Sequence, residues 1–261
     1  MKKLKIGSDP EMFIEHEGKI ISVEGMLGGT KAAPLRLTDL GEGFAVQEDN
    51  VLAEFNVPAT DNLEDFIRYH ELMPKAIEYI IFQNTGKTVS ALPIASNAFE
   101  EGELVSEQAL LFGCDPDINI WAMEFNESPN ASSLIRSAGG HLHCGWDNPT
   151  MEEQINLIKF MDLYVGLYSV IHDTDLLRKT LYGKAGSCRF KSYGVEYRSV
   201  SNFWLGSREH MSKVFHLTNQ AFEKAMAINF PEELSIIEDV INYNNVEKAL
   251  ELNEKYNLSL I

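Results

Sequence analysis

Cysteine is scarce: the 261 residues hold three, Cys114, Cys144 and Cys188, in separate segments with no Cys-x-x-Cys pair. That spacing argues against both a disulfide framework and a four-cysteine zinc site. Long apolar runs are missing as well, and none approaches the roughly 18 to 20 residues that span a bilayer. The Met-Lys-Lys start meets Asp9, Pro10 and Glu11 before a signal-peptide core develops, so the reading is a soluble, unprocessed, cytoplasmic chain without a membrane partner. Basic side chains are also in short supply, 22 Lys and Arg against 39 Asp and Glu, for a formal charge of −17. Such a surplus repels phosphate backbones at long range and argues against bulk nucleic-acid binding. No Pro/Ser linker, repeat or low-complexity block divides the chain, so 1–261 reads as one domain.

What is present reads first as strands and then as helices. Residues 10–24 alternate like a hairpin turned at Glu17-Gly18-Lys19, and residues 44–57 form a second extended stretch that Pro58 is expected to end. A helix follows from Asn62, capped by Asp61 or Asn62, and Pro74 is expected to kink or split it. Residues 113–121 read as a turn-rich loop and 138–146 as a strand. Thr150-Met-Glu-Glu matches a capping box and opens an amphipathic segment to about Lys179. A strand-like stretch over 188–200 and two or three helices from about Ser207 complete an α+β pattern.

Four segments carry chemistry. In Asp9-Pro10-Glu11 the two acids share a strand face with Phe13, which hints that this face is not simply solvent. Glu54 interrupts an otherwise apolar strand, where burial without a partner would cost several kcal/mol. In Gly139-Gly140-His141-Leu142-His143-Cys144-Gly145 the imidazoles of His141 and His143 leave one face, and the glycines permit close approach of a ligand. The window Arg178–Arg198 holds six basic residues and one acid, net +5, leaving −22 for the remainder. It includes Lys184, Arg189, Glu196 and Arg198, and reads as a cradle for polyphosphate. Neither the P-loop pattern nor Gly-x-Gly-x-x-Gly occurs.

In order along the chain, Gly7-Ser-Asp-Pro-Glu-Met-Phe13, Gly28-Gly-Thr-Lys31, Asp49-Asn-Val-Leu-Ala-Glu-Phe-Asn56, Gly113-Cys-Asp-Pro-Asp117, Gly139-Gly-His-Leu-His143 and Tyr193-Gly-Val-Glu-Tyr-Arg-Ser-Val-Ser-Asn-Phe-Trp204 resemble the motifs of the glutamine-synthetase-like carboxylate-amine ligases, or amidoligases. Within that superfamily they are most similar to the compact, phage-encoded type 2 branch. The motifs span about 7–204; the helical part from about 205–261 adds none. The resemblance implies an antiparallel sheet with an active-site face, packed by helices, as in glutamine synthetase and glutamate-cysteine ligase. It implies an ATP-dependent ligase that makes an amide through an acyl phosphate, with Mg2+ or Mn2+, in the host cytoplasm if the chain is phage-encoded. Glu11, Glu54, His141 and Glu196 would hold metal. His143, Lys184, Arg189 and Arg198 would contact the nucleotide, with Glu54, Glu196 and Arg198 catalytic. Lys31 and Arg136 are candidates for a substrate carboxylate. Expected partners are small-molecule or peptide acids and amines, and an oligomer is possible.

The chain departs from the larger family in having Asp9-Pro-Glu11 rather than two glutamates, and the remaining acidic ligand is open among Asp9, Glu48 and Asp49. Two other classes compete. His141, His143 and a nearby acid or Cys144 could form a zinc hydrolase site, although alternation turns Cys144 to the opposite face. A non-catalytic protein that kept the fold is the other.

Overall fold

The computed structural model describes residues 2–110, 117–126 and 134–261, so Cys114 and most of the Gly113–Asp117 motif lie outside the described residues. The strands are β1 (Lys5–Ser8), β2 (Glu11–His16), β3 (Lys19–Ile21), β4 (Leu35–Arg36), β5 (Ala45–Asp49), β6 (Leu52–Thr60), β7 (Ser90–Leu92), β8 (Ser96–Ala98), β9 (Ile118–Asn119), β10 (Glu124–Phe125), β11 (Ile135–Ser137), β12 (Leu142–Gly145), β13 (Ser187–Lys191) and β14 (Gly194–Tyr197). The helices are α1 (Leu63–Thr85), α2 (Glu107–Leu110), α3 (Met151–Met161), α4 (Leu167–His172), α5 (Arg178–Leu181), α6 (Arg208–Ala227), α7 (Ile237–Asn242) and α8 (Val246–Tyr256). This is the α+β pattern expected, with a large sheet in the order β10-β9-β13-β14-β12-β1-β6-β2-β3. Its strand pairs are antiparallel. Among the described residues no helix is long and apolar enough to cross a membrane.

Alternation divides the sheet into an apolar back and a polar front. Ile6, Leu142, Cys144, Val195 and Tyr197 are buried at the back, where α1 packs on β6, α3 on β13 and β14, and α6 on both helices. A polar pair ties helix to sheet within this layer: the Ser8 hydroxyl meets His70 Nε2 at 2.5 Å, while His70 Nδ1 lies 2.6 Å from the Phe66 carbonyl. Burial pushes His70 down to about 4. A neutral imidazole that donates from Nδ1 and accepts the Ser8 hydroxyl at Nε2 satisfies both bonds.

The local elements correct several expectations. The first hairpin is as read, with Glu17 and Gly18 in left-handed conformations at its turn. The second extended stretch is instead two strands, β5 and β6, turned at Asn50 with φ 55°. Pro58 does not end β6, because it falls where the pairing of β1 with β6 shifts register and no ladder donor is required of it. Nor does Pro74 split α1. The helix runs unbroken for 23 residues, capped by Asn62, and Phe66, Ile67, His70, Met73, Ile77 and Ile81 are buried along it. Burial of that face offsets the one backbone bond a proline forfeits. The strand expected over 138–146 is confined to β12, and the one expected over 188–200 is a hairpin of β13 and β14. The Thr150 capping box is present. Its helix nevertheless stops at His172, after a π-helical turn over Asp162–Gly166.

That turn holds Asp162 out of solvent, with Tyr197 OH donating to Oδ1 at 2.8 Å and Trp121 Nε1 to Oδ2 at 2.7 Å. Burial outweighs these bonds and pushes its carboxyl up to about 7. A carboxyl raised in the folded state favours folding most below its unfolded value near 3.8, and that advantage is lost as pH climbs toward 7. Asp162→Asn removes this titration. Its stability relative to the parent should therefore rise between about pH 4 and 7, by up to a few kcal/mol, since each tenfold change in proton affinity is worth ~1.4 kcal/mol. Urea denaturation of both proteins across that range checks the slope; parallel curves would refute it.

Candidate active site

The front of the sheet is built around one row of facing residues. Gly7 on β1 lies opposite His143 on β12, His143 opposite Glu196 on β14, and Glu196 opposite Arg189 on β13. Asp9 leaves the end of β1 on this face, and its Oδ1 lies 3.1 Å from His143 Nε2 and 3.3 Å from His141 Nδ1. Ligand atoms of Asp9, His141 and Glu196 fall within 4.8 Å of one another. Glu11, Asp49 and Glu54 form a second such group beside it. There Glu11 on β2 lies directly opposite Glu54 on β6. The chain passes from one group to the other through Pro10, where β1 gives way to β2 along the same edge of β6.

The two groups differ in charge. In the first, burial and Asp9 push Glu196 up, but Arg198, His141 and His143 outweigh them and hold it at about 2. Asp9 is likewise held well below the usual carboxylate range by its two histidines, against its burial. Glu196 also receives Lys191 at 2.8 Å and Arg189 at 3.6 Å, and it pairs closely with Arg198. Asp117 Oδ2 holds the other side of Arg198, 3.3 Å from Nε. Burial and Arg198 push His141 down to about 4, against the pull of Asp9, and its Nδ1 lies between Asp9 Oδ1 at 3.3 Å and Arg198 at 3.2 Å. In the second group burial pushes all three acids up, Glu11 to about 8; Asp49 adds to the effect on Glu11, Asp9 to that on Asp49, and Asp9, Asp49 and Glu11 to that on Glu54. Three crowded oxygen donors in need of positive charge are what a hard divalent cation satisfies.

Backbone close to the site leaves no room for side chains. Glu11 and Gly139 exchange bonds, the Gly139 N–H donating to Glu11 Oε2 at 2.8 Å and the Glu11 N–H to the Gly139 carbonyl at 3.0 Å. A Cβ on Gly139 would lie 2.2 Å from His141 Nε2. Arg178, reaching in from α5, donates to the carbonyls of Ala138 and Ser199 at 3.2 Å and so fastens the segment before β12 to the one after β14. Beyond the His141 end of the row is a cavity of about 50 Å3, lined in part by Arg136, Arg178, Tyr182 and Asp117. Beyond the Gly145 end is another of about 650 Å3, with Lys3, Lys5, His143, Trp146 and Tyr193 at its wall.

Of the residues singled out from sequence, Glu11, Glu54, His141, His143, Arg189, Glu196 and Arg198 meet on this face. Arg136 is buried at the first cavity and donates to the Ala109 carbonyl at 2.7 Å. Lys31 is exposed on a turn, and its charge bears on Asp49 and Glu54. Lys184 lies in the turn before β13, where its charge bears on Lys179. Of the three acids left open as ligands, Asp9 lies in the first group and Asp49 in the second, whereas Glu48 turns away to accept three backbone N–H groups. Lys191, counted in the basic window but given no role of its own, lies two residues from Arg189 on the same face and reaches Glu196. Cys144 is buried on the opposite face, its thiol pushed up to about 12, which removes it from a His-x-His-Cys chelate.

Residues 135–249 match the model of the family described as phage phiEco32-like COOH.NH2 ligase-type 2. The type 2 branch reached from the motifs is therefore the one matched. The matched span of this COOH-NH2 ligase family holds Arg136, His141, His143, Arg189, Lys191, Glu196 and Arg198, and it runs on through α6 and α7. Asp9, Glu11, Asp49 and Glu54 precede it, so the second carboxylate group is joined to the ligase signature by geometry alone. No curated protein matches the chain.

Proposed function

We propose that this chain is an ATP-dependent carboxylate-amine ligase that joins an acid to an amine through an acyl phosphate. The observation that carries the reading is the pair of carboxylate groups lying side by side on one sheet face, the first fringed by Arg189, Lys191 and Arg198. A carboxylate is a poor electrophile. Its oxygen attacks the γ-phosphorus of ATP and ADP leaves; the amine nitrogen then attacks the activated carbonyl, sheds a proton, and inorganic phosphate departs with the bonding pair. Both halves put negative charge on phosphoryl oxygens, and the fixed cations answer it without reorganisation.

Asp9, His141 and Glu196 would hold one divalent ion and Glu11, Asp49 and Glu54 another; Mg2+ or Mn2+ so held neutralises polyphosphate charge. The donor sets fit hard ions, one all oxygen and the other oxygen with one imidazole. The larger cavity, with two lysines and two aromatic rings, suits a nucleotide. The smaller one, lined by Arg136 and Arg178, suits a small acid. The test is ADP release from ATP in mixtures of acids and amines. Release should require Mg2+ or Mn2+ together with both organic substrates, and should fall by two or more orders of magnitude in Glu54→Gln. Metal-independent release, or a fully active Glu54→Gln protein, would sink the reading. Absence of metal-dependent ATP binding in calorimetry would favour a protein that kept the fold without the chemistry.

A further inference from the structure

The turn ahead of Lys31 is held in place with unusual completeness for an exposed segment. Glu48 spends its carboxylate on it: Oε2 accepts from the Gly25 N–H, and Oε1 from those of Leu27 and Gly28, each at 3.0 Å. The Glu48 N–H donates in return to the Gly29 carbonyl at 3.0 Å. Leu27 is fully buried, and Asn84 on α1 donates to the Met26 carbonyl at 3.0 Å. Gly29, at φ 147°, threads between β4 and β5 so closely that a Cβ would lie 2.7 Å from the Leu35 nitrogen and 2.8 Å from the Val46 carbonyl. Thr30 then bridges Glu48 in parallel register, which brings Lys31 alongside Asp49. Of the charges that oppose the effect of burial on Asp49, Lys31 is the largest, and it acts on Glu54 in the same direction.

We infer that the Gly25–Lys31 turn is a clamped arm, positioned by Glu48, that keeps the Lys31 ammonium at the Glu11–Asp49–Glu54 group as a resident counter-cation against which a divalent ion must bind. The inference rests on the reading of that group as a cation site. It gives two neighbouring acids opposite uses: Asp49 faces the site, and Glu48, on the other face, fixes the arm. It also makes Glu48 a positioning residue whose own charge predicts the wrong sign. Removing a carboxylate near a cation site should weaken cation binding, whereas releasing the arm should strengthen it.

The experiment is calorimetric titration of the full chain with Mn2+ alone, backed by the electron paramagnetic resonance signal of free Mn2+. Glu54→Gln identifies the transition that belongs to this group. Lys31→Met should tighten that transition by about 10-fold, the scale of one unit charge acting on a divalent ion across partly hydrated protein. Lys31→Arg should match the parent. Glu48→Gln should tighten it by a smaller factor, and Lys31→Met combined with Glu48→Gln should be no tighter than Lys31→Met alone. An unchanged or weaker Lys31→Met transition, or a weaker Glu48→Gln one, overturns the inference and leaves the cation site standing. If neither the parent nor Glu54→Gln shows any Mn2+ transition at this group, both the cation-site reading and the inference fall.

Discussion

Glu196→Gln is expected to lower ligase turnover at least 100- to 1000-fold, the cost typical of deleting one preorganised electrostatic contact. The side chain is 1% exposed and stands where four groups meet, Arg198, Arg189, Lys191 and the Asp9–His141 pair. Glutamine keeps the shape but removes the charge that balances three cations. One oxygen donor remains of the two that a carboxylate offers, and the amide nitrogen cannot ligate a cation. Arg198 retains Asp117, so the fold has a fallback partner for this buried guanidinium. Some stability is still lost, since breaking a buried ion pair leaves uncompensated charge. Three measurements separate the effects: thermal melting for the fold, Mn2+ stoichiometry for the first group, and single-turnover ADP formation for chemistry. Mn2+ stoichiometry should drop from two to one while the second group still titrates. Turnover within ten-fold of the parent, at saturating metal, would remove Glu196 from the mechanism.

Much of this face is legible in the sequence because β-strands alternate. His141 and His143, or Glu196 and Arg198, need only period two to share a side, and one buried acid among apolar neighbours marks Glu54 without any tertiary information. Register between strands is what alternation cannot supply. Read as one stretch, residues 44–57 leave Glu48 and Asp49 equal candidates. The two-residue turn at Asn50-Val51 decides between them, because it sets Gln47 opposite Glu54 and so puts Asp49 on the face of Glu54. Asn50 in a left-handed conformation is the available signal, since Asp-Asn pairs favour turns. Asp9 is a different case. Its spacing from Glu11 is visible, but its assignment depends on the break at Pro10, which sends the two acids to different groups. Pro58 and Pro74 mislead for a shared reason: local propensity speaks without the packing that overrides it.

Gly139 and Gly140 are expected to fail in different ways when replaced by alanine, although they are adjacent and neither has a positive φ. A Cβ on Gly140 would lie 2.2 Å from the Ser201 carbonyl oxygen and 2.4 Å from Trp204 Nε1. Trp204 is fully buried and donates from Nε1 to the Gly140 carbonyl at 3.1 Å, so it cannot retreat without vacating core and losing that bond. Gly140→Ala should therefore cost about 3 kcal/mol or more, at the severe end for overpacking. A Cβ on Gly139 instead meets the far side of the His141 ring. That ring is a side chain and can shift where backbone cannot, and any shift disturbs the contacts of its Nδ1 with Asp9 and Arg198. Gly139→Ala should thus keep most of its melting temperature but lose first-group Mn2+ affinity and ADP formation. Gly140→Ala should melt early even where residual metal binding survives. Equal thermal losses in the two variants would show that His141 is locked by its surroundings as firmly as Trp204. The glycine pair would then serve packing alone rather than the placement of a metal ligand.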